Sequence, residues 1–303
     1  MIKVAVLYGG RSPAYEDSLL TGKFVLSLLR DHIEYEPIDV FISREGDWHY
    51  KGLVEEPHQV LSRADVAWNA LHGGYGESGG LQALLTGIQM PFVGSSTAPS
   101  IFAHNKEFAK KLYRDYSLPI LASEVLREDE VSDDQLIEIF RTYLHPVVVK
   151  PSTGVCGIGI RLVHTYEELK DAVMRTFKHS TRVLVEEYVR GTAASAHVVE
   201  KARGEELYAL VPIALETELR RVRPTSVENK QMEDMAKRAH TALGLRHYSA
   251  SDFMITPSGK IYILETNSSP LFHEGSLLHQ SLAATGWKPK DFVEHCLKLA
   301  AGK

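Results

Sequence analysis

Short runs of hydrophobic residues, separated by segments with helical spacing, organise the first hundred residues of the chain. Strands are predicted over residues 2–7, 36–42 and 66–71, and helices over residues 19–30 and 80–86. Strands that alternate with helices in this way are typical of a parallel α/β domain, in which loops follow the ends of the strands. The pattern therefore predicts such a domain over residues 1–100.

A second pattern begins after residue 96 and changes the expected architecture. A helix is predicted over residues 106–116, and strands are predicted over residues 146–150, 158–163 and 182–187. Thr165 and Glu168 form a capping-box pattern, which predicts that another helix begins between the last two of these strands. We interpret residues 101–190 as a small α+β domain.

The last third of the chain contains two strand-like runs joined by a short turn. The runs flank a Thr-Pro-Ser-Gly segment at residues 256–259, a turn signal that predicts a β-hairpin. Asp252, Glu265 and Asn267 would then face one site, and oxygen ligands of this kind suit Mg²⁺ bound together with substrate phosphates. The alternative is that these are ordinary acidic residues at strand ends. A strand over 206–215 and helices over 229–242 and 289–300 complete a domain of residues 191–303.

Composition and charge limit the class of protein. With 303 residues, 44% of them hydrophobic, the chain is long enough for two or three cores. A formal net charge of -5 argues against a broad nucleic-acid-binding surface but is compatible with a local phosphate pocket. Cys156 and Cys296 provide no disulfide framework, so we expect a reducing compartment, the cytoplasm. Neither a secretory leader nor a long apolar segment is recognisable, so we expect no membrane association.

Several residues are candidates for phosphate and nucleotide contacts. Lys150 ends a predicted strand and is followed by a glycine-containing loop, in which backbone N–H groups would approach phosphate oxygens. A glycine turn without a ligand explains this segment alone equally well. Lys106 and Glu186 are open to the same two interpretations, a ligand contact or an ordinary helix face and strand end. His72, in another glycine-containing loop, would either donate to a substrate or bond its own loop.

The order and spacing of these motifs resemble the ATP-grasp superfamily and, within it, the D-alanine–D-alanine ligases. The resemblance extends over nearly the whole chain and rests on residues 9–12, 18–22, 70–79, 105–106, 149–152, 185–189, 252, 265–267 and 276–277. It implies a three-part ATP-grasp architecture that combines α/β and α+β domains. It also implies an enzyme of peptidoglycan precursor synthesis, in which ATP phosphorylates one amino-acid carboxylate and a second amino acid attacks the acylphosphate.

The resemblance also implies ligands and residue roles. ATP, Mg²⁺ and small amino acids are the expected ligands, and members of the family commonly form homodimers. ATP would be held by Lys106, Lys150, Glu186, Glu187 and Val189. The metal ligands would be Asp252, Glu265 and Asn267, and the substrate-binding residues His72, Glu77, Ser276 and Leu277.

Some positions depart from the family pattern at the dipeptide chemistry. The glutamate expected to hold an ammonium group falls at Ala14, with only Glu16 nearby. The arginine expected to stabilise the transition state falls at Ala250, and the glycine of the oxyanion hole falls at Leu271. A side chain at Leu271 would occupy the approach to the site.

Further departures concern nucleotide binding and the exclusion of water. The carboxylate expected at the ribose falls at Ala193, Cys156 replaces a serine, and the lid between residues 216 and 228 is short. Three hypotheses follow. The leading one is an ATP-dependent carboxylate–amine ligase; the others are a catalytically degenerate homologue that binds nucleotide or a partner, and a ligase with a different amino-acid specificity.

Overall fold

Three sheets, one after another along the chain, make up the computed structural model, which describes residues 1–154, 159–215 and 224–302. The first sheet has six strands in the order β4-β3-β2-β1-β5-β6. These strands are β1 (Ile2–Gly9), β2 (Tyr35–Ile42), β3 (Trp48–Tyr50), β4 (Leu53–Val54), β5 (Val66–Asn69) and β6 (Phe92–Val93). The associated helices are α1 (Tyr15–Arg30), α2 (Pro57–Leu61), α3 (Gly74–Glu77) and α4 (Gly80–Gly87).

The first sheet confirms the predicted parallel α/β arrangement. Strand β1 pairs in parallel with β2 and β5, and β5 pairs in parallel with β6. The antiparallel strands β3 and β4 extend one edge and were not predicted, because runs this short carry no recognisable alternation. Two helices, α5 (Thr97–His104) and α6 (Lys106–Asp115), follow this sheet.

The second sheet is antiparallel and has the order β7-β10-β8-β9. Its elements are β7 (Ser123–Arg127), α7 (Asp133–Thr142), β8 (Val147–Pro151), β9 (Arg161–Val163), α8 (Tyr166–Phe177) and β10 (Arg182–Glu187). The predicted start of α8 is confirmed, since the Thr165 side chain accepts a hydrogen bond from the Glu168 backbone N–H. Helices α7 and α8 pack against each other, and together with the sheet they form one apolar core.

The third sheet has the order β12-β11-β14-β15, with β13 also paired to β11. Its elements are β11 (Thr192–Ala202), β12 (Glu205–Ala209), β13 (Ile213–Ala214), α9 (Ser226–Leu243), β14 (Tyr248–Ile255) and β15 (Ile261–Asn267). The prediction of one continuous strand over residues 206–215 was wrong. Pro212 lies between β12 and β13, and a proline has no N–H to continue a strand ladder.

The cores do not follow the three predicted segments of the chain. The last helices, α10 (Leu277–Thr285) and α11 (Pro289–Ala300), follow the third sheet, but α11 packs against α1, β5 and β6 of the first unit. Trp68, Phe272 and Phe292 pack ring against ring in this shared core. Helix α6 contributes to the core beneath the third sheet. Among the described residues, no helix is long and apolar enough to cross a membrane.

Candidate active site

The predicted acidic hairpin is formed by β14 and β15. Asp252 pairs directly with Glu265, and Ala250 pairs with Asn267. Directly opposite residues of an antiparallel pair point to the same face, and so do residues two apart along a strand. Asp252, Glu265 and Asn267 therefore lie on one face, as the turn at residues 256–259 predicted. Phe253, the next residue, points to the opposite face by normal strand alternation and lies in the core beneath α9. A shift in register between Asp252 and Phe253 pairs Phe253 with Ile263, which lies in the same core.

This face concentrates negative charge. Burial and, to a smaller extent, the neighbouring Glu265 carboxylate raise the pKa of Asp252 to about 6, against the opposing effects of the Ser195 hydroxyl and Lys106. A buried carboxylate beside another carboxylate is stabilised by a bound cation. With the Asn267 amide oxygen, the donor set consists of hard oxygen atoms and fits Mg²⁺. Among the described residues there is no cluster of three or more His, Cys, Asp or Glu side chains that could hold a metal, so the third ligand would have to be this amide.

Lys106 is held beside the acidic pair by the start of α6. Its ammonium lies 3.0 Å from the Glu265 carboxylate and donates to the Gly154 carbonyl at 3.1 Å. The preceding residue, Asn105, caps the helix by accepting from the N–H groups of residues 107 and 108. Asn105 also accepts from the Ser152 hydroxyl at 3.1 Å, and the Lys106 N–H donates to the Ser152 carbonyl at 2.8 Å. The helix start and the glycine-containing loop are thus fixed to each other.

The loop itself is described only in part. Residues 155–158, including Cys156, lie outside the described residues, so the predicted substitution of a serine by this thiol has no structural test. The same holds for residues 216–223 of the predicted short lid.

A second charged cluster surrounds Glu186 on β10. One of its carboxylate oxygens lies 2.6 Å from the Lys150 ammonium, and the other pairs with Lys110. All three side chains are buried. The predicted contact of the Glu186 side chain with adenine stays a prediction, and in the structure both of its oxygens are engaged by lysines. Lys110 was missed from the sequence, although it lies one helical turn after Lys106 on α6.

The end of β10 offers backbone groups for a nucleotide base. The Glu187 side chain accepts from the Ala122 N–H at 3.0 Å, which ties the strand end to the chain before β7. Val189 follows the strand in an irregular segment, next to the partly exposed ring of Tyr188. The predicted adenine contacts of Glu187 and Val189 have no direct test in the structure.

On the side of the first sheet, Glu77 is buried between two histidines. Its carboxylate lies 3.6 Å from His72 Nδ1 and 4.0 Å from His104 Nδ1. The other ring nitrogen of His72 lies 2.8 Å from the Thr21 hydroxyl, so this loop histidine has internal partners. Burial lowers the pKa of His104, which keeps that imidazole neutral. His104 was missed because its position at the end of α5 carries no motif.

The substituted positions lie in different environments. Ala14 is buried at the start of α1, whereas Glu16 is exposed and pairs with Arg44 at 3.0 Å, so Glu16 does not replace the missing carboxylate. Leu271 is half-buried, and the next residue, Phe272, is fully buried with its ring 5.1 Å from that of Phe24. The Phe272 side chain of this segment therefore fills the core.

Two further predicted substrate residues begin α10. The Ser276 side chain caps this helix and accepts from the N–H groups of His273 and His279, both at 3.3 Å. Leu277 is the first helical residue. Both stay predictions as substrate contacts.

One small cleft brings several of these groups together. It has a volume of about 40 Å³, and its lining includes Glu77, His104, Lys106, Glu265 and Asn267. This single space is therefore lined by a basic group (Lys106), two hard oxygen donors (Glu265 and Asn267) and a buried acid next to the first sheet (Glu77). These are the kinds of group that contact a phosphate and its cation.

Comparison with known proteins agrees with this geometry. The family model described as D-ala D-ala ligase C-terminus matches residues 112–221 and 216–298. D-alanine–D-alanine ligase B of Chromobacterium violaceum is 33% identical over 98% of this chain and 96% of its own length.

Solved structures show the same fold. The D-alanine-D-alanine ligase from Coxiella burnetii has a TM-score of 0.89 at 22% identity, over 100% of this chain and 96% of that one. The enzyme from Bacillus anthracis, complexed with ATP, has a TM-score of 0.83 at 22% identity, over 100% of this chain and 98% of that one.

Proposed function

Because the chain belongs to the D-alanine–D-alanine ligase family, we propose that it is an ATP-dependent carboxylate–amine ligase that joins two small amino acids. The observation that carries this proposal is the cleft lined by Lys106, Glu265, Asn267 and Glu77, in which the Lys106 ammonium lies 3.0 Å from the Glu265 carboxylate. With D-alanine as both substrates, the product would be a precursor of peptidoglycan.

The proposed reaction has two steps. An oxygen of the donor carboxylate attacks the γ-phosphorus of ATP, which breaks the bond to the bridging oxygen and forms an acylphosphate and ADP. The amine of the second amino acid then attacks the acyl carbon, loses a proton and expels inorganic phosphate. One amide bond is formed for each ATP consumed.

The residues of the chain would bind and orient the nucleotide. Lys106 and Lys150 would contact its phosphates, with the ammonium of Lys106 already placed at the acidic hairpin. The backbone of residues 187–189 would hold the adenine. Asp252, Glu265 and Asn267 would hold Mg²⁺, which when bound neutralises charge on the phosphates.

The amino-acid substrates would lie between the first unit and the start of α10. Glu77 and His72 would contact a substrate, and Ser276 with Leu277 would meet the carboxylate of the second amino acid. We also propose the cytoplasm as the compartment and a homodimer as the assembly, with no nucleic-acid or membrane partner. The acidic net charge supports the first of these exclusions.

Two alternatives concern the substituted positions. A catalytically degenerate homologue has no better support from the comparisons than a ligase does. A changed amino-acid specificity has one observation in its favour, since the buried Ala14 offers no charge to an ammonium group. An altered donor that lacks this group is therefore the second candidate function.

The test is ADP release by the full chain with saturating Mg-ATP, measured across D-alanine, L-amino acids and D-lactate, with products identified by mass spectrometry. The proposal predicts ADP release that depends on an amino acid and yields an amide. Release that requires a different donor would favour altered specificity. Mg-ATP binding in calorimetry without any turnover would contradict the proposal and favour the degenerate alternative.

A further inference from the structure

A buried histidine lies on the same sheet face as the acidic hairpin. In the pairing of β11 with β14, Ser195 is opposite Asp252, and His197 is opposite Ala250. Directly opposite side chains share a face, with Cβ atoms about 4.5–5.5 Å apart. His197 therefore neighbours the position at which the family pattern places an arginine. Sequence reasoning gave this histidine no role.

One ring nitrogen of His197 lacks a hydrogen-bond partner among the residues that the structure describes. The residue is only 2% exposed, and its Nδ1 has no hydrogen bond to any described residue. Burial lowers its pKa to about 3, so the ring is neutral near pH 7 and offers one donor and one acceptor nitrogen. Native proteins rarely leave a buried polar atom unpaired, because the lost hydration is not recovered. A bound ligand would supply the missing partner.

The surroundings of His197 connect it to the site. Its neighbour on the strand, Ser195, bonds the Asp252 carboxylate. Helix α10, which begins at the proposed substrate residues Ser276 and Leu277, packs against β11 and β13. Ala250, directly opposite His197, has a small side chain at the position where the family pattern places an arginine. His197 thus lies on the face that runs from the acidic pair toward the core shared with the first unit.

We propose that His197 is a substrate-contacting residue of this chain, with its imidazole hydrogen-bonding an amino acid bound beside Ala250. The inference rests on the proposed ligase function and deepens it. In the family pattern a charged arginine on β14 makes this contact. In this chain a neutral imidazole on β11 would make it. The ligand chemistry it implies is a carboxylate or carbonyl oxygen, or an amine, of a small amino acid.

Two substitutions separate this role from a structural one. His197→Phe keeps the ring but removes both nitrogens, and His197→Asn keeps a polar atom near the position of Nδ1. We expect His197→Phe to raise the KM for D-alanine by roughly 10- to 100-fold, as for a lost hydrogen bond to a charged group, with the KM for ATP changing less than about threefold. We expect His197→Asn to recover most of this loss.

His240 provides a matched control. It is also 2% exposed, but it belongs to α9, on the opposite side of the sheet from the acidic hairpin. Its Nδ1 lies 2.8 Å from the Ser249 hydroxyl, and its Nε2, which has no hydrogen bond, lies 3.7 Å from the Glu200 carboxylate. His240→Phe should lower the melting temperature without changing the KM for D-alanine. An unchanged KM for D-alanine in His197→Phe, or equal effects on the KM in the two phenylalanine variants, overturns the inference.

A double-mutant cycle tests whether the two facing positions share one space. Ala250→Arg alone should lower the melting temperature by roughly 2–10 °C, because the long side chain meets the imidazole. His197→Ala in the same chain should relieve much of this loss. Additive shifts would contradict a shared space and overturn the inference.

The failure of this inference differs from failure of the proposed function. A wild-type chain that releases no ADP with any amino acid removes the ligase function and the inference with it. A wild-type chain that turns over normally, with His197→Phe equally active at limiting D-alanine, removes the inference alone.

Discussion

Replacing Glu186 with glutamine tests the buried charge cluster at the proposed phosphate site. The carboxylate lies between Lys150, at 2.6 Å, and Lys110, and all three side chains are almost completely buried. Glutamine has nearly the same shape, so the substitution leaves two buried ammonium groups without a counter-charge and creates no cavity. Removing one partner of a buried ion pair typically costs about 3–5 kcal/mol in the free energy of unfolding. We expect a loss of this size at pH 7.

The pH dependence of this loss follows from Lys110. Burial lowers its pKa, and the Glu186 carboxylate acts in the opposite direction. Without the carboxylate, the folded protein releases the Lys110 proton at a lower pH than the unfolded chain does. Above that pH the unfolded chain binds more protons, so the stability of the variant rises with pH. The difference between the variant and the wild type should therefore shrink between pH 7 and pH 9.

Urea unfolding monitored by circular dichroism measures this effect at both pH values. Glu130→Gln is the control, because Glu130 pairs with Arg127 at 3.1 Å on the surface, where ion pairs contribute little. An unfolding midpoint for Glu186→Gln that equals that of the control would refute the reasoning. A loss that stays constant between pH 7 and pH 9 would refute the role given to Lys110.

Further predictions concern a buried histidine, the metal ligands and a helix cap. Burial lowers the pKa of His247 to about 4, so the free energy of unfolding should fall as the pH decreases from about 6.5 toward 4. His247→Asn keeps an acceptor for the Gly94 N–H and should flatten this dependence, as measured by urea unfolding at a series of pH values. Asp252→Asn should weaken Mg²⁺ binding at least about tenfold in calorimetric titrations with ADP present, and unchanged affinity would exclude Asp252 as a ligand. Asn105→Ala removes the cap of α6 and the contact with Ser152. It should lower the free energy of unfolding by about 1–2 kcal/mol and raise the KM for ATP. An unchanged KM for ATP would show that the glycine-containing loop does not depend on this contact.

The acidic hairpin was predictable because its information is local. Alternating strands on either side of a Thr-Pro-Ser-Gly turn determine which residues face each other, and the register of Asp252 with Glu265 confirms the result. The parallel strands β1, β2 and β5 of the first sheet were predictable for a similar reason, whereas the two-residue strand β6 was not predicted. β1 and β5 are mostly apolar, and β2 alternates between buried and more exposed positions.

Strand β11 shows where local information ends. Its first half, Thr-Ala-Ala-Ser-Ala, has small side chains that display no clear alternation, although the strand lies centrally in its sheet. The sequence also gave no role to Lys110, His104 and His197, because the residues that lie beside them in the structure come from distant parts of the chain. The position of Phe272 in the core is equally a tertiary property, since it depends on Trp68 and Phe292.

The central claim is that ATP activates a carboxylate for attack by an amine, and isotope transfer tests it most directly. The full chain would be incubated with Mg-ATP and D-alanine carrying oxygen-18 in its carboxylate, and both dipeptide and inorganic phosphate would be analysed by mass spectrometry. The account predicts one dipeptide for each ADP, with one oxygen-18 atom transferred from the donor carboxylate to the phosphate. ADP formation without dipeptide, or dipeptide formation with unlabelled phosphate, would contradict it.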